Sequence, residues 1–148
     1  LSGRPVDTSA AVKGPVSRTP LSRFHPFAAS RWQKAPPAGQ APKGTILFVH
    51  GSSMASQPTF DLTVPGRPDS SVMDWFARRG FVCWTVDMEG YGRSDKTRDI
   101  YCDISNGADD LAAATAYMRE ARGVTEVMAY GISSGALRAA RHGRAPRA

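Results

Sequence analysis

Three short runs of apolar residues interrupt an otherwise mixed chain. Thr45-Ile46-Leu47-Phe48-Val49, Phe81-Val82-Cys83-Trp84-Thr85-Val86 and Glu126-Val127-Met128-Ala129-Tyr130 are rich in β-branched and aromatic side chains. A run that is apolar on both faces of an extended chain predicts a strand covered on both sides, the habit of a parallel sheet. Between these runs the period changes. Ser71-Val72-Met73-Asp74 has the form of a helix capping box, and Val72, Trp75 and Phe76 follow at helical spacing. Arg78, Arg79 and Gly80 suit the C-terminal end of that helix. A second helix is predicted behind Ser105 or Asn106 as its cap, with Leu111, Ala114, Thr115 and Met118 as its apolar stripe and Gly123 as its stop. A third runs over about residues 134–142. From residue 44 the order is strand, helix, strand, helix, strand, helix, which predicts an α/β fold with a parallel sheet core and flanking helices.

The first 43 residues read differently. They hold seven of the eleven prolines, a density that blocks helix and central strand alike. The expectation is an irregular Pro-rich leader, from which Phe24, Phe27 and Trp32 could dock on the body or form short edge strands. Residues 52–69 combine Pro, Gly, Ser and Asp and predict a long loop, which in a compact domain is usually functional. The 148 residues thus divide into a leader (1–43), one folded domain (44–142) and a short basic tail (143–148).

Charge removes one class of partner. The net charge is +6, but it sits at the two ends; residues 44–135 carry eight basic and twelve acidic side chains. No basic face interleaved with aromatics is present in the body, so no nucleic acid partner is expected. No stretch approaches the roughly 18 apolar residues of a membrane span, and no apolar signal region opens the sequence. The two cysteines, Cys83 and Cys102, make no disulfide framework, which suits a reduced, cytoplasmic setting. No Cys/His cluster has zinc spacing, and neither a metal nor a cofactor is expected.

The chemistry concentrates in three turns. Gly131-Ile132-Ser133-Ser134-Gly135 stands directly after a predicted buried strand and directly before a helix. In that context G-x-S-x-G reads as a nucleophile elbow: the turn is too tight for a Cβ two residues either side of Ser133, and it lifts the serine Oγ above the sheet. The helix behind it favours developing negative charge. His50-Gly51-Ser52-Ser53 ends the first strand, where a backbone N–H could pair with that of Ser134 to hold an oxyanion. Asp87-Met88-Glu89-Gly90-Tyr91-Gly92-Arg93-Ser94 follows the second strand; there Asp87 is expected to tie loop N–H groups rather than to act in catalysis.

Taken in order, these three turns resemble the α/β-hydrolase superfamily. Residues 46–51 look like its third strand and oxyanion loop, 86–94 like the D-x-x-G-x-G-x-S turn after its fourth strand, and 130–135 like the elbow after its fifth. The resemblance covers about residues 43–142. It implies a serine hydrolase acting on an ester or amide bond of a small-molecule acyl substrate, with Ser133 as nucleophile and Ser134 and Ser52 as oxyanion donors. It also implies an acid and then a histidine later in the chain. Residues 136–148 contain no Asp or Glu, and their one histidine, His142, is nine residues beyond Ser133, about 13 Å along the helix and on its opposite face. His25 lies in the leader, and His50 resembles the oxyanion-loop histidine rather than a base. The expectation is a partial α/β-hydrolase fold, truncated before its acid and histidine and inactive alone, the remainder being encoded in a second frame that joins near residues 137–142. Its third strand would then be an exposed apolar edge, making the isolated chain poorly soluble or partly unfolded. The alternatives are a non-enzymatic α/β-hydrolase-like protein that binds a small ligand beside Ser133, and an unrelated basic-tailed interaction domain. The sequence leaves the oligomeric state open.

Overall fold

Alternation along one strand sets the architecture. Ile46 and Phe48 point to one face and Leu47 and Val49 to the other, and all four are buried. This strand, β4 (Gly44–Val49), therefore lies inside a sheet covered on both sides. The computed structural model describes residues 12–13, 17–20, 28–67, 69–97 and 102–144. In it β4 pairs in parallel with β5 (Phe81–Val86) on one side and with β6 (Met128–Gly131) on the other. Beyond β5 lies β3 (Ala28–Ala35), antiparallel to it, and β3 carries β1 (Val12–Lys13) and β2 (Ser17–Pro20). The strand order is β1-β3-β5-β4-β6, so the sheet is mixed, with the expected parallel trio at one end.

Each face has its own core. On one, Phe60 of α1 (Ser56–Phe60) and Met73 and Ala77 of α2 (Val72–Ala77) pack on Trp32, Ile46, Phe48 and Cys83. On the other, Leu111, Ala114 and Met118 of α3 (Ile104–Arg122) pack on Leu47, Val49, Trp84 and Val86. The last helix, α4 (Ser134–Arg144), lies beside α3 on that second face. Ser71 caps α2 as the capping box predicts, accepting from the Asp74 N–H at 3.1 Å. Gly123 ends α3 in the left-handed conformation at φ 64°. No helix among the described residues is long and apolar enough to cross a membrane.

Three local expectations need correction. The cap of α3 is Asp103, not Ser105 or Asn106; its carboxylate accepts from the Asn106 N–H at 2.8 Å. The 52–69 loop contains the short helix α1, held by the Ser56 N–H on the Asp87 carboxylate. Within the Pro-rich segment, expected to be irregular, the proline-free stretch Ala28–Ala35 is a full strand, while Trp32 docks in the core, one of the outcomes expected of it. Phe24 and Phe27 lie outside the described residues.

Polar groups hold β3 in place. Lys34 is 4% exposed, and its ammonium meets the carboxylates of Asp61 and Asp74 and the Ser71 hydroxyl. The Trp32 indole N–H donates to the other oxygen of Asp61 at 3.0 Å. One buried cation thereby joins β3, the end of α1 and the start of α2. Beside it the Cys83 thiol is pushed up to about 12, mainly by burial, and stays protonated. The opposite edge of the sheet is uncovered: Met128 is 50% and Tyr130 45% exposed on β6.

Removing the cation while leaving one buried carboxylate, Asp61, and one half-buried, Asp74, should be costly. Lys34→Met is expected to lower unfolding stability by about 3–5 kcal/mol. Leu62→Ser, at an exposed position, should change it by no more than about 0.5 kcal/mol. Urea unfolding of the three chains, followed by tryptophan fluorescence, checks both.

Candidate active site

The chain enters the site from β4. Its connection to β5 runs through α2 on one face, and the connection from β5 back to β6 runs through α3 on the other. Strand order therefore reverses at β4, and the C-terminal ends of β4 and β6 open side by side at the switch point, where ligands of open α/β sheets bind. Two of the three turns that sequence reading singles out, 50–53 and 131–135, lie there.

The turn from β6 into α4 is forced by contact. A Cβ on Gly131 would stand 2.6 Å from the Gly135 carbonyl oxygen, and one on Gly135 would run into the carbonyl oxygens of Val49 and His50. With the helix start pressed onto the end of β4, Ser133 takes up the slack at φ 52°, the one positive φ outside glycine among the described residues. Its side chain is exposed, and a Cβ on Gly51 would lie 3.0 Å from Ser133 Cβ and 3.4 Å from its Oγ. The 50–52 turn thus borders Ser133 directly. Ser52 Oγ and Ser134 Oγ are 2.7 Å apart. All three residues singled out in the sequence, Ser133, Ser134 and Ser52, are brought to one corner.

The histidines stand elsewhere. His50 is buried; its Nδ1 meets the Gly51 carbonyl oxygen at 2.7 Å and its Nε2 accepts from the Met88 N–H at 3.0 Å. Both nitrogens are occupied, and the imidazole is neutral. Burial holds its pKa below the usual 6.5, against the opposing pull of Gly51 and Asp87. His142 lies far along α4 with Nε2 3.3 Å from Thr115 Oγ1 of α3, and burial, aided by Arg119, lowers its pKa also. Asp87 is fully engaged, accepting from the Ser56 N–H at 2.9 Å and the Arg93 N–H at 3.0 Å, while the Ser94 hydroxyl donates to its carbonyl. Sequence reading missed one residue of this corner. Arg138, counted there only among terminal charges, is 1% exposed, and its guanidinium reaches the 50–52 turn. Its one signal in the sequence is its position four residues after Ser134, on the same helix face.

A family model described as serine aminopeptidase, S33 (Hydrolase_4) matches residues 40–148. The chain belongs to this α/β-hydrolase family. Solved structures agree on the fold. A CIB-like hydrolase from Thermoplasma acidophilum superposes with TM-score 0.60 at 15% identity, over 90% of this chain and 56% of that one. An esterase from Pyrococcus furiosus gives TM-score 0.60 at 16% identity, over 95% and 49%. A probable hydrolytic enzyme from Pseudomonas aeruginosa gives TM-score 0.61 at 26% identity, over 86% and 36%. This α/β-hydrolase chain spans between about a third and just over half the length of these structures. No curated protein sequence matches it.

Two measurements follow from the geometry. Ser133→Gly should raise stability by about 0.5–1 kcal/mol, the relief of left-handed strain less the entropy of a glycine in the unfolded chain. Gly135→Ala should lower it by roughly 1–3 kcal/mol through contact with the β4 carbonyls; denaturant midpoints of the two variants test the pair. Stability should also depend on pH. His50 and His142 bind protons less readily folded than unfolded, so their neutral forms support the fold above pH 6.5. That support should fall away as pH drops below 6.5 toward the lowered values. Unfolding midpoints between pH 8 and 5 check the direction, and His142→Gln should flatten the slope.

Proposed function

We propose that Ser133 is the nucleophile of an acyl-transfer site and that this corner cleaves an ester or amide bond of a small molecule. The observation that carries the reading is the positive φ of an exposed serine held between Gly131 and Gly135 at a strand–helix turn. Such a turn is a nucleophile elbow. Ser133 Oγ attacks the substrate carbonyl carbon and loses its proton to a base. The oxyanion that forms receives hydrogen bonds from the N–H groups of Ser134 and Ser52. Ser134 opens α4, where the first N–H groups have no partner within the helix and the helix end is electropositive. The esterase and hydrolase neighbours support an acyl bond as the target; the family description adds peptides.

Among the described residues no base stands at Ser133. His50 spends both nitrogens on backbone groups, and His142 packs against α3. Among the described residues no histidine is left for Ser133. In this reading the 148-residue chain supplies the nucleophile and the oxyanion donors and is inactive alone.

Loss of a nucleophile or base costs about 10⁴–10⁶ in rate. A fluorophosphonate probe is therefore expected to react only slowly with the 148-residue chain, and what adduct forms should map to Ser133 and vanish in Ser133→Ala. An adduct confined to another serine would overturn the assignment. Rapid labelling at Ser133 would instead mean that a base does reach it, with His25 or a second subunit the first suspects. Specific retention of a small ester without any adduct at Ser133 would favour a binding protein.

A further inference from the structure

We propose that Arg138 is a positioning residue of this site: its buried guanidinium sets where the Ser52 and Ser134 amides stand relative to one another. The proposal rests on the reading of Ser133 given above.

Arg138 follows Ser134 by four residues, one helical turn, so the two side chains share a face of α4. It is among the largest fully buried side chains of the chain. Burying a cation at a helix position that leucine could fill is unfavourable unless its donors find partners. The partners are informative. One terminal nitrogen donates to the His50 carbonyl oxygen at 3.3 Å; the other donates to the Cys102 carbonyl oxygen at 3.0 Å and to Ser52 Oγ at 3.4 Å. Nε is buried and donates to nothing, so the two terminal nitrogens alone hold the group. The acceptors belong to two irregular segments, the 50–52 turn and the approach to α3. Neither segment is itself part of a strand or a helix.

The remaining contacts shape a slot for this side chain. α3 carries Gly107 where it crosses Arg138, and a Cβ there would strike Arg138 Cδ and lie 2.6 Å from Nε. The Tyr91 ring lies 5.7 Å from the guanidinium carbon and packs edge-on against His50 at 4.9 Å. Arg138 then extends to the site through one hydroxyl: Ser52 Oγ, which it touches, stands 2.7 Å from Ser134 Oγ. The chain Arg138–Ser52–Ser134 links the two residues whose amides face the oxyanion. Those amides sit on different elements, so their spacing depends on what ties the 50–52 turn to α4. Misplacing a reacting group by about 1 Å can cost on the order of 10²-fold in rate.

The test uses the 148-residue chain and two readouts. One is the position of the Ser52 and Ser134 amide signals in ¹H–¹⁵N spectra. The other is the rate at which Ser133 takes up a fluorophosphonate at pH 9, followed by intact mass and peptide mapping. The oxyanion donors contribute to this rate even without a base. Arg138→Met is expected to move both amide signals and to slow uptake about tenfold or more. Arg138→Lys keeps the charge but not the fork, and should fall between. Should Arg138→Met lose its folded spectrum, Arg138→Lys decides: it should still move the Ser52 and Ser134 signals and slow uptake. Both amide signals unmoved with uptake within twofold, in whichever variant is folded, overturns the proposal. Adduct on a serine other than Ser133 in the unsubstituted chain overturns the reading of the site instead, and the amide signals still report whether Arg138 sets the turn.

Discussion

The candidate site depends on backbone resting on backbone. The first turn of α4 lies on the carbonyl groups that end β4, so closely that Gly135 has no space for a Cβ beside Val49 and His50. The sheet ladder reinforces the approach one residue past β6, where the Ile132 N–H donates to the Val49 carbonyl oxygen at 3.2 Å. With both ends of the connection fixed, Ser133 has only the left-handed conformation left to it. The exposure of its hydroxyl and the nearness of the 50–52 turn are consequences of that contact.

Around it, apolar side chains and buried cations divide the work. Two apolar clusters, one on each face of the sheet, set the layers and the strand order. They have little hold on segments without regular structure. Lys34 gathers the end of α1, the start of α2 and β3 through Asp61, Asp74 and Ser71. Arg138 gathers the 50–52 turn and the residues before α3. A cation with several donors can reach acceptors in different directions at once, which a leucine cannot. The segments so held are the ones that border the helix starts.

What was legible in the sequence follows the same division. β4, β5, α2 and α4 announce themselves by period and punctuation, and the G-x-S-x-G turn is read correctly as a strand-to-helix junction because its glycines answer to backbone sterics alone. β3 hides for the opposite reason. Its buried residues include Ser30, Arg31 and Lys34: Lys34 is ion-paired, Arg31 lies 3.7 Å over the Tyr117 ring, and the backbone N–H of Ser30 donates to the Ser94 hydroxyl. Hydropathy cannot reveal a strand whose burial depends on partners 27 to 86 residues away. The same blindness applied to Arg138, whose acceptors are carbonyl groups that no side-chain pattern records. The cap of α3 lies two or three residues before the expected Ser105 or Asn106 because Asp103, Ser105 and Asn106 all have capping chemistry, and only the local backbone chooses among them.

The separation of paired segments along the chain gives the site a place in time. Phe48 and Thr85, joined across β4 and β5, are 37 residues apart, whereas Ser52 and Ser134 meet across 82. Closing the longer loop carries the larger entropic penalty, and contacts of high sequence separation slow folding. The β4–α2–β5 unit is thus the natural nucleus. β6 and α4 are expected to join it afterwards, and the left-handed conformation of Ser133 needs both. A serine made exposed and strained by the tertiary fold is an ordinary serine until that fold closes, so any reactivity at this corner is withheld from the nascent chain.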